Sequence, residues 1–201
     1  MAGPYHHGNL AEALVDAASD LARASGPDAV ALREVARRVG VSATAAYRHF
    51  GAKEDLLAEV ASRARETLAQ TMLAELEALP ARRNPTRRAL DRFRAAGRGY
   101  LRFARTEPGL FESAFLPLPP PRQEKPSAWD VLAGTLDGLS ESGVLSPAQR
   151  DGAEIVAWSA VHGLAELQRS GALLAAPVEE DSAVIEDRVL DSLAIALGAR
   201  T

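Results

Sequence analysis

The sequence predicts an all-α chain of about nine helices, a small N-terminal group followed by a larger helical body. Three observations carry that prediction. Ala, Leu, Arg and Glu dominate while aromatic residues make up only 5% of the chain, a balance that favours helix over strand. Apolar residues recur at three- and four-residue spacing along most of the chain. Glycine or proline punctuates several of those stretches, as at Gly26-Pro27, Gly40, Gly51 and Pro80. With 201 residues, 47% of them hydrophobic, the chain is long enough for one small and one medium unit, each with a real core.

The elements follow in order. Asn9 and Glu12 form a capping-box-like start, and Leu10, Leu14, Ala17, Ala18 and Leu21 then line one face. Gly26-Pro27 ends that helix. A short helix is expected over 32–39, with Val35, Ala36 and Val39 inward, then a tight turn at Gly40-Val41-Ser42 and a second short helix over 43–50. Gly51 breaks the pattern, and a long helix is expected from Lys53 to about Leu79. After a turn bounded by Pro80 and Pro85, a helix is expected to about Arg105, and Pro108 opens a short one to about Phe115. Pro117, Pro119, Pro120, Pro121 and Pro126 make a loop, because proline removes helical donors. The next helix is expected over 127–142. Ser146-Pro147-Ala148-Gln149 is a strong start for another, through Trp158 to about Leu174. The last runs from Asp181 to Leu197, with Ile185, Val189, Leu193 and Ala196 on one stripe.

Composition excludes several classes. With 0 cysteines there is no disulfide, thiolate nucleophile or Cys-ligated zinc. Neither a phosphate-binding Gly loop nor a Gly-x-Ser-x-Gly elbow is present, and 4 histidines offer little material for acid–base chemistry, so an enzyme is not expected. No metal and no cofactor are expected. No apolar stretch suits a signal peptide or a membrane span, and a cytoplasmic protein is expected. The net charge is −4, but charge is unevenly placed. Between residues 33 and 53, Arg33, Arg37, Arg38, Arg48 and Lys53 face Glu34 alone, whereas the acid gathers near the C-terminus. Screening confines charge effects to about 8–10 Å, so a distant acidic body does not cancel a local basic face.

The segment from Leu32 to Phe50 has helix-turn-helix spacing: two short helices about a three-residue turn containing glycine. Gly40 can take the left-handed backbone the turn needs, and Val41 is expected to plug the core. Ser42 can cap the second helix and leave its first amides directed outward. Ala43, Thr44 and Ala45 are small enough for that helix to enter a major groove about 12 Å wide, where Thr44 offers a hydroxyl and a methyl to base edges. Arg33, Tyr47, Arg48, His49 and Lys53 surround it as donors for phosphates or guanines. Phe50 reads as core. His6 and His7 read as an N-terminal arm.

The stretch from Gly8 to Leu57 resembles the TetR family of transcriptional regulators, through Gly40-Val41-Ser42, Tyr47-Arg48-His49-Phe50 and Lys53-Glu54-Asp55-Leu56-Leu57. Trp158-Ser159-Ala160-Val161-His162-Gly163 is also similar to a Trp/His/Gly motif of one C-terminal subgroup. The resemblance implies base contacts from Arg33, Ala43, Thr44 and Ala45, and phosphate contacts from Tyr47, His49 and Lys53. It implies a helix-turn-helix domain over 1–52 and a ligand-binding and dimerisation domain over 53–201, linked by the helix 53–79. It implies a homodimer on a palindromic double-stranded operator, released by a small, mainly apolar effector. The alternative is a helical small-molecule-binding protein or an activator. Two helix caps depart from the family pattern, since Ala31 and Ala52 stand where Ser or Thr is usual.

In the body, Phe93, Tyr100, Phe103, Phe111, Phe115, Trp129, Trp158 and His162 are the candidate pocket lining, with His162 a polar anchor. Ala160, Gly163, Val189 and Leu193 are the candidate dimer interface, small residues for close approach and branched ones for area. His162 and Glu166 share a helix face, but no third metal ligand accompanies them. The arginines between 82 and 105 read as a solvated face of an amphipathic helix.

Overall fold

The computed structural model describes residues 7–119, 126–175 and 181–198. Its helices are α1 (His7–Ser25), α2 (Leu32–Val39), α3 (Ala43–His49), α4 (Lys53–Glu77), α5 (Pro85–Thr106), α6 (Pro108–Ala114), α7 (Ala128–Glu141), α8 (Pro147–Arg150), α9 (Ala153–Arg169) and α10 (Ser182–Ala196). Short 3-10 turns stand at Pro27–Ala29 and Ala172–Ala175, and the described residues hold no strand. The chain divides into two compact units, one of Met1–Arg65 with Glu107–Glu124, the other of Glu66–Thr106 with Lys125–Thr201.

Three expectations are corrected in detail. Helix α1 is already formed at His7, so Asn9 lies inside its first turn and cannot cap it, and His7 is helix rather than arm. His6 falls outside the described residues, as do Pro120 and Pro121 of the proline loop. The helix expected from Pro147 to Leu174 is two, which raises the count from nine to ten among the described residues. Ser146 and Gln149 do form the capping box, but Asp151 is extended and Gly152 is left-handed at φ 71°, so α8 stops after 4 residues and α9 restarts at Ala153.

In the first unit, α1 buries Leu14, Val15, Ala18, Leu21 and Ala22, and packs against α2, α3 and α6. Val30, Leu32, Val35, Ala36, Ala46 and Phe50 join that core, as do Leu56 and Val60 of α4 and Leu110 and Phe111 of α6. Helix α6 comes very near α1, because a Cβ on Gly109 would stand 2.0 Å from the Ala22 carbonyl oxygen. An ion pair of Arg23 with Glu107 at 2.9 Å fastens the same junction, and Arg65 donates to the Ala114 carbonyl at 3.1 Å. The position of α6 beside α1 carries no signal in the local sequence pattern, since it depends on what the chain does far earlier.

In the second unit α5 is central, packed against α7, α9 and α10. Its buried face is mostly small: Ala89, Ala95, Ala96, Gly99 and Ala104, interspersed with Phe93, Tyr100, Leu101 and Phe103. Two glycines set how near the neighbours come. A Cβ on Gly99 would lie 2.6 Å from the Met72 Cα of α4, and one on Gly97 would lie 2.3 Å from Leu190 of α10. Part of the arginine face expected to be solvated also carries ion pairs. Arg94 pairs with Asp191 at 2.6 Å, Arg98 with Asp187 at 2.9 Å, Arg105 with Glu186, and Arg102 with Glu75 of α4. As α5 numbers rise the α10 numbers fall, so these helices run antiparallel. Glu186 is buried, and Gln168 of α9 donates a second hydrogen bond to it at 3.2 Å, which satisfies a carboxylate that would otherwise be costly inside.

The glycines give a sharp stability test. Gly99→Ala forces α4 backbone away from α5 and should destabilise by about 1–3 kcal/mol, the usual cost of overpacking. Gly134→Ala on α7 meets nothing within 4 Å and should be neutral or stabilise by about 0.5–1 kcal/mol, since glycine is a poor helix former. Parallel thermal and urea melts of the two variants check the contrast.

Candidate nucleic-acid interface

The turn between α2 and α3 is built from its backbone. Gly40 adopts φ 79°, its N–H donates to the Arg37 carbonyl at 3.2 Å, and the Val41 N–H donates to the Ala36 carbonyl at 2.9 Å. That double closure is a Schellman motif, and it satisfies carbonyls that the helix end leaves open. The Ser42 hydroxyl accepts from the Ala45 N–H at 3.2 Å, capping α3. Ala46 and Phe50 anchor α3 in the core, while Val41 is only half-buried and plugs less than expected.

With that face fixed inward, the opposite face is set. Ser42, Thr44, Tyr47, Arg48 and His49 are exposed, and Ala43 and Ala45 are half-buried. Thr44, Tyr47 and Arg48 sit at i, i+3 and i+4, one row on one side of α3. Arg33 on α2 is exposed, and neither it nor Arg48 joins an ion pair among the described residues. Lys53 is half-buried and its Nζ donates to the Asp28 carbonyl at 3.2 Å, tying the start of α4 to the 3-10 turn. At Ala52 only the reciprocal half of a capping box is present: the Asp55 carboxylate accepts from the Ala52 N–H at 3.0 Å, while alanine offers no oxygen to the first-turn amides of α4.

Counting basic residues overstates this face. Arg37 holds Glu34 through two hydrogen bonds of 2.8 Å each, and Arg38 adds a third at 3.0 Å. These bonds push the Glu34 carboxyl down to about 2, Arg37 contributing most. A depressed acid contributes to stability above its ordinary 4.5 and loses that contribution as pH falls toward 2, so the clamp is complete at neutral pH. The spacing 34, 37, 38 is the signal that was there to read.

The family model described as "Bacterial regulatory proteins, tetR family" matches residues 14–60, and that described as "Tetracyclin repressor-like, C-terminal domain" matches residues 93–193. The chain belongs to the TetR family of DNA-binding transcriptional regulators. Those proteins are regulators rather than enzymes. No curated protein matches the chain. Among solved structures, a protein of unknown function from a Rhodococcus species is 26% identical over 96% of this chain and 100% of its own, with TM-score 0.74. The TetR family regulator PfmR from Thermus thermophilus is 19% identical over 90% of this chain and 97% of its own, with TM-score 0.59. A single-residue variant of TetR from Acinetobacter baumannii, solved in complex with minocycline, is 21% identical over 98% of this chain and 96% of its own, also with TM-score 0.59. These last two establish the shared fold.

The second unit holds a cavity of about 20 Å³. Phe93, Tyr100 and Trp158 of the expected lining do line it, joined by Met72, Leu132 and Leu190. The other five stand elsewhere. Phe103 is only 1% exposed, in solid core. Phe111 and Phe115 belong to the first unit and pack edge-on at 5.0 Å, because α6 turns back to α1. Trp129 rests against Trp158 at 5.7 Å with 40% of its surface exposed. His162 lies just behind the lining, its Nδ1 2.8 Å from the Tyr100 hydroxyl. Burial pushes the Tyr100 phenol well above its ordinary range, with Glu166 adding to the shift, so it stays protonated and able to donate. Glu166 is held by Arg169, and no group of three metal-ligating side chains occurs among the described residues.

Of the expected interface, Ala160, Gly163 and Val189 are half-buried, and a Cβ on Gly163 would meet nothing within 4 Å. Leu193 is 6% exposed, its side chain already spent on its own chain's core. The sequence stripe of α10 is not its inward face, which is Glu186, Leu190, Leu193, Ala194 and Leu197: Ile185 and Val189 are half-buried and Ala196 is exposed. Its outward apolar residues are Val184 and Ile195, and on α9 they are Ile155, Val156 and Leu167.

Glu34→Gln should release two guanidiniums to the exposed side of α2. The expected result is tighter binding to scrambled duplex and a steeper fall of log affinity with log salt, by about 0.9 for each phosphate the freed arginines reach. Anisotropy titrations on scrambled duplex at several salt concentrations check this.

Proposed function

We propose that the chain is a ligand-responsive repressor that binds a palindromic operator as a dimer and leaves it when a small, mainly apolar effector binds. The observation that carries the DNA-reading part is the exposed row Thr44, Tyr47 and Arg48 on a helix whose other side is locked by Ala46 and Phe50. In this reading residues 1–52 are the DNA-binding domain and 53–201 the ligand-binding and dimerisation domain, with cytoplasmic action. The amide-rich start of α3, from Ser42 to Ala45, enters the major groove. Thr44 reads bases, Arg33 reads a guanine, and Tyr47, Arg48, His49 and Lys53 hold phosphates.

The dimer forms through the outer faces of α9 and α10. Ile155, Val156, Leu167, Val184 and Ile195 are all at least 46% exposed, and contiguous apolar surface of this kind marks protein–protein contact. The open space over Gly163 admits a partner helix at short range. The pairs from two subunits then make a four-helix bundle. The effector enters at the cavity beside Phe93, Tyr100 and Trp158. Its present 20 Å³ suits a water molecule, whereas organic ligands occupy roughly 300–1,000 Å³. Binding therefore requires these helices to part. The minocycline-bound relative supports a small-molecule role for this fold. Helix α4 begins in one unit and ends in the other, so separation at its Met72 end is passed along a continuous helix to Lys53. Half-sites are tolerated only near one helical turn, about 34–36 Å, or its multiples, so a small change of spacing decides binding.

Two measurements test this reading. On duplexes selected from a random pool, Thr44→Ala should lose up to about 1–3 kcal/mol on the selected sequence and little on a scrambled one. Lys53→Ala should weaken both alike and flatten the salt slope by about 0.9 per lost phosphate contact. Tyr47→Phe should also ignore sequence but leave the slope unchanged, as a hydroxyl releases no counterion. Equal losses for Thr44→Ala on both duplexes would put the wrong face of α3 in the groove. For assembly, the double variant Ile155→Glu, Leu167→Glu should halve the mass in light scattering at micromolar concentration, and a parent chain that is itself monomeric there would contradict the dimer.

A further inference from the structure

The arginines near α5 divide into two sets. Arg82, Arg94, Arg98, Arg102 and Arg105 each meet a carboxylate. Arg83, Arg87, Arg88 and Arg92 are exposed, and none joins an ion pair among the described residues. Arg88 and Arg92 set like charges at i and i+4 on α5, an arrangement that opposes helix formation unless an anion compensates it, whereas Arg83 precedes the helix.

Arg88 and Arg92 also form one wall of a cleft between the start of α5 and the end of α7, with a volume of about 400 Å³. Gly134 and Gly138 leave that cleft open, since a Cβ on either would meet nothing within 4 Å. The far wall carries Asp137 and Glu141. Asp137 is already engaged by Arg150 at 2.7 Å, and the two arginines make no bridge to Glu141. The cleft is thus some twenty times larger than the apolar cavity, is lined by two uncommitted guanidinium forks, and has one free acid opposite them. Guanidinium forks match carboxylate and phosphate oxygens in pairs.

We propose that this cleft binds a small organic oxyanion, a polycarboxylate or phosphate-bearing molecule held by Arg88 and Arg92, at a site separate from the apolar cavity. Arg83 and Arg87 add to the local positive potential without lining the cleft. Glu141 sets the selectivity: it repels an all-anionic ligand and welcomes one that presents a donor on its far side.

Calorimetry on the full chain at fixed ionic strength tests the proposal, with pyrophosphate and citrate as the probes. Saturable binding of either, at one site per chain, is expected. Arg88→Gln, Arg92→Gln together should weaken it at least about tenfold, as expected for losing two charge-assisted partners. Arg48→Gln should leave it unchanged, which separates this cleft from the exposed cations of α3. Glu141→Gln should tighten it by removing the repelling acid, and carries the test alone if the double variant does not fold. Binding of pyrophosphate only, or citrate only, assigns the phosphate or the carboxylate class. No saturable heat from either probe, or a loss in Arg48→Gln with none in the double variant, overturns the proposal, as does unchanged affinity in every variant.

Discussion

Helix α5 can gather α4 and α10 around itself only because Gly97 and Gly99 present no side chains where those helices cross. At Gly99 the obstacle to a Cβ would be backbone, which cannot rotate out of the way, whereas at Gly97 it would be the branched end of Leu190. The same closeness makes the polar pairing possible. Arg94, Arg98 and Arg105 reach Asp191, Asp187 and the buried Glu186 because the α10 axis lies within one side-chain length of α5. Exposed pairs of this kind are individually worth little. The Arg105–Glu186–Gln168 group differs because Glu186 is 6% exposed, so losing its partners would strand a charge inside. The outer faces of α9 and α10 are therefore presented on a support that is anchored from within.

Charge on this chain is managed by local pairing rather than by composition. A net charge of −4 says nothing against a polyanion-binding face, and five basic residues near α3 say too much for it. Glu34 takes Arg37 and Arg38 out of play and leaves Arg33 and Arg48 flanking the small residues of α3. A face with fewer free cations binds random DNA less tightly and so gives base contacts, which the proposed reading assigns to Thr44, more weight. The same division recurs along α5, where paired arginines organise the fold and unpaired ones border an open cleft.

The helices were legible because glycine and proline mark their ends, and the turn at Gly40-Val41-Ser42 was legible because its backbone demands a left-handed residue and a cap. The exposed row on α3 followed from the same local rules. What the sequence pattern did not reveal depends on partners distant in the chain. Phe111 and Phe115 look like body aromatics until α6 is seen against α1. Leu193 sits on an apolar stripe, but periodicity does not say whether a stripe faces its own core or a second subunit. The expected helix ran through the turn dipeptide Asp151-Gly152 because a capping box marks where a helix starts and not how far it runs. Only three of eight aromatic and histidine candidates line the cavity, because a cavity is a property of how helices cross.

DNase footprinting of the purified chain on the DNA flanking its own coding region tests most directly whether α3 reads a specific two-fold DNA sequence. The expected result is one protected window at protein concentrations that leave the surrounding DNA open, with two inverted half-sites whose centres lie one helical turn, about 10–10.5 base pairs, or a multiple of it apart. Protection that spreads evenly along the fragment as protein is raised, with no window and no inverted repeat beneath it, would show a general affinity for duplex and contradict the role assigned to Thr44 and its neighbours.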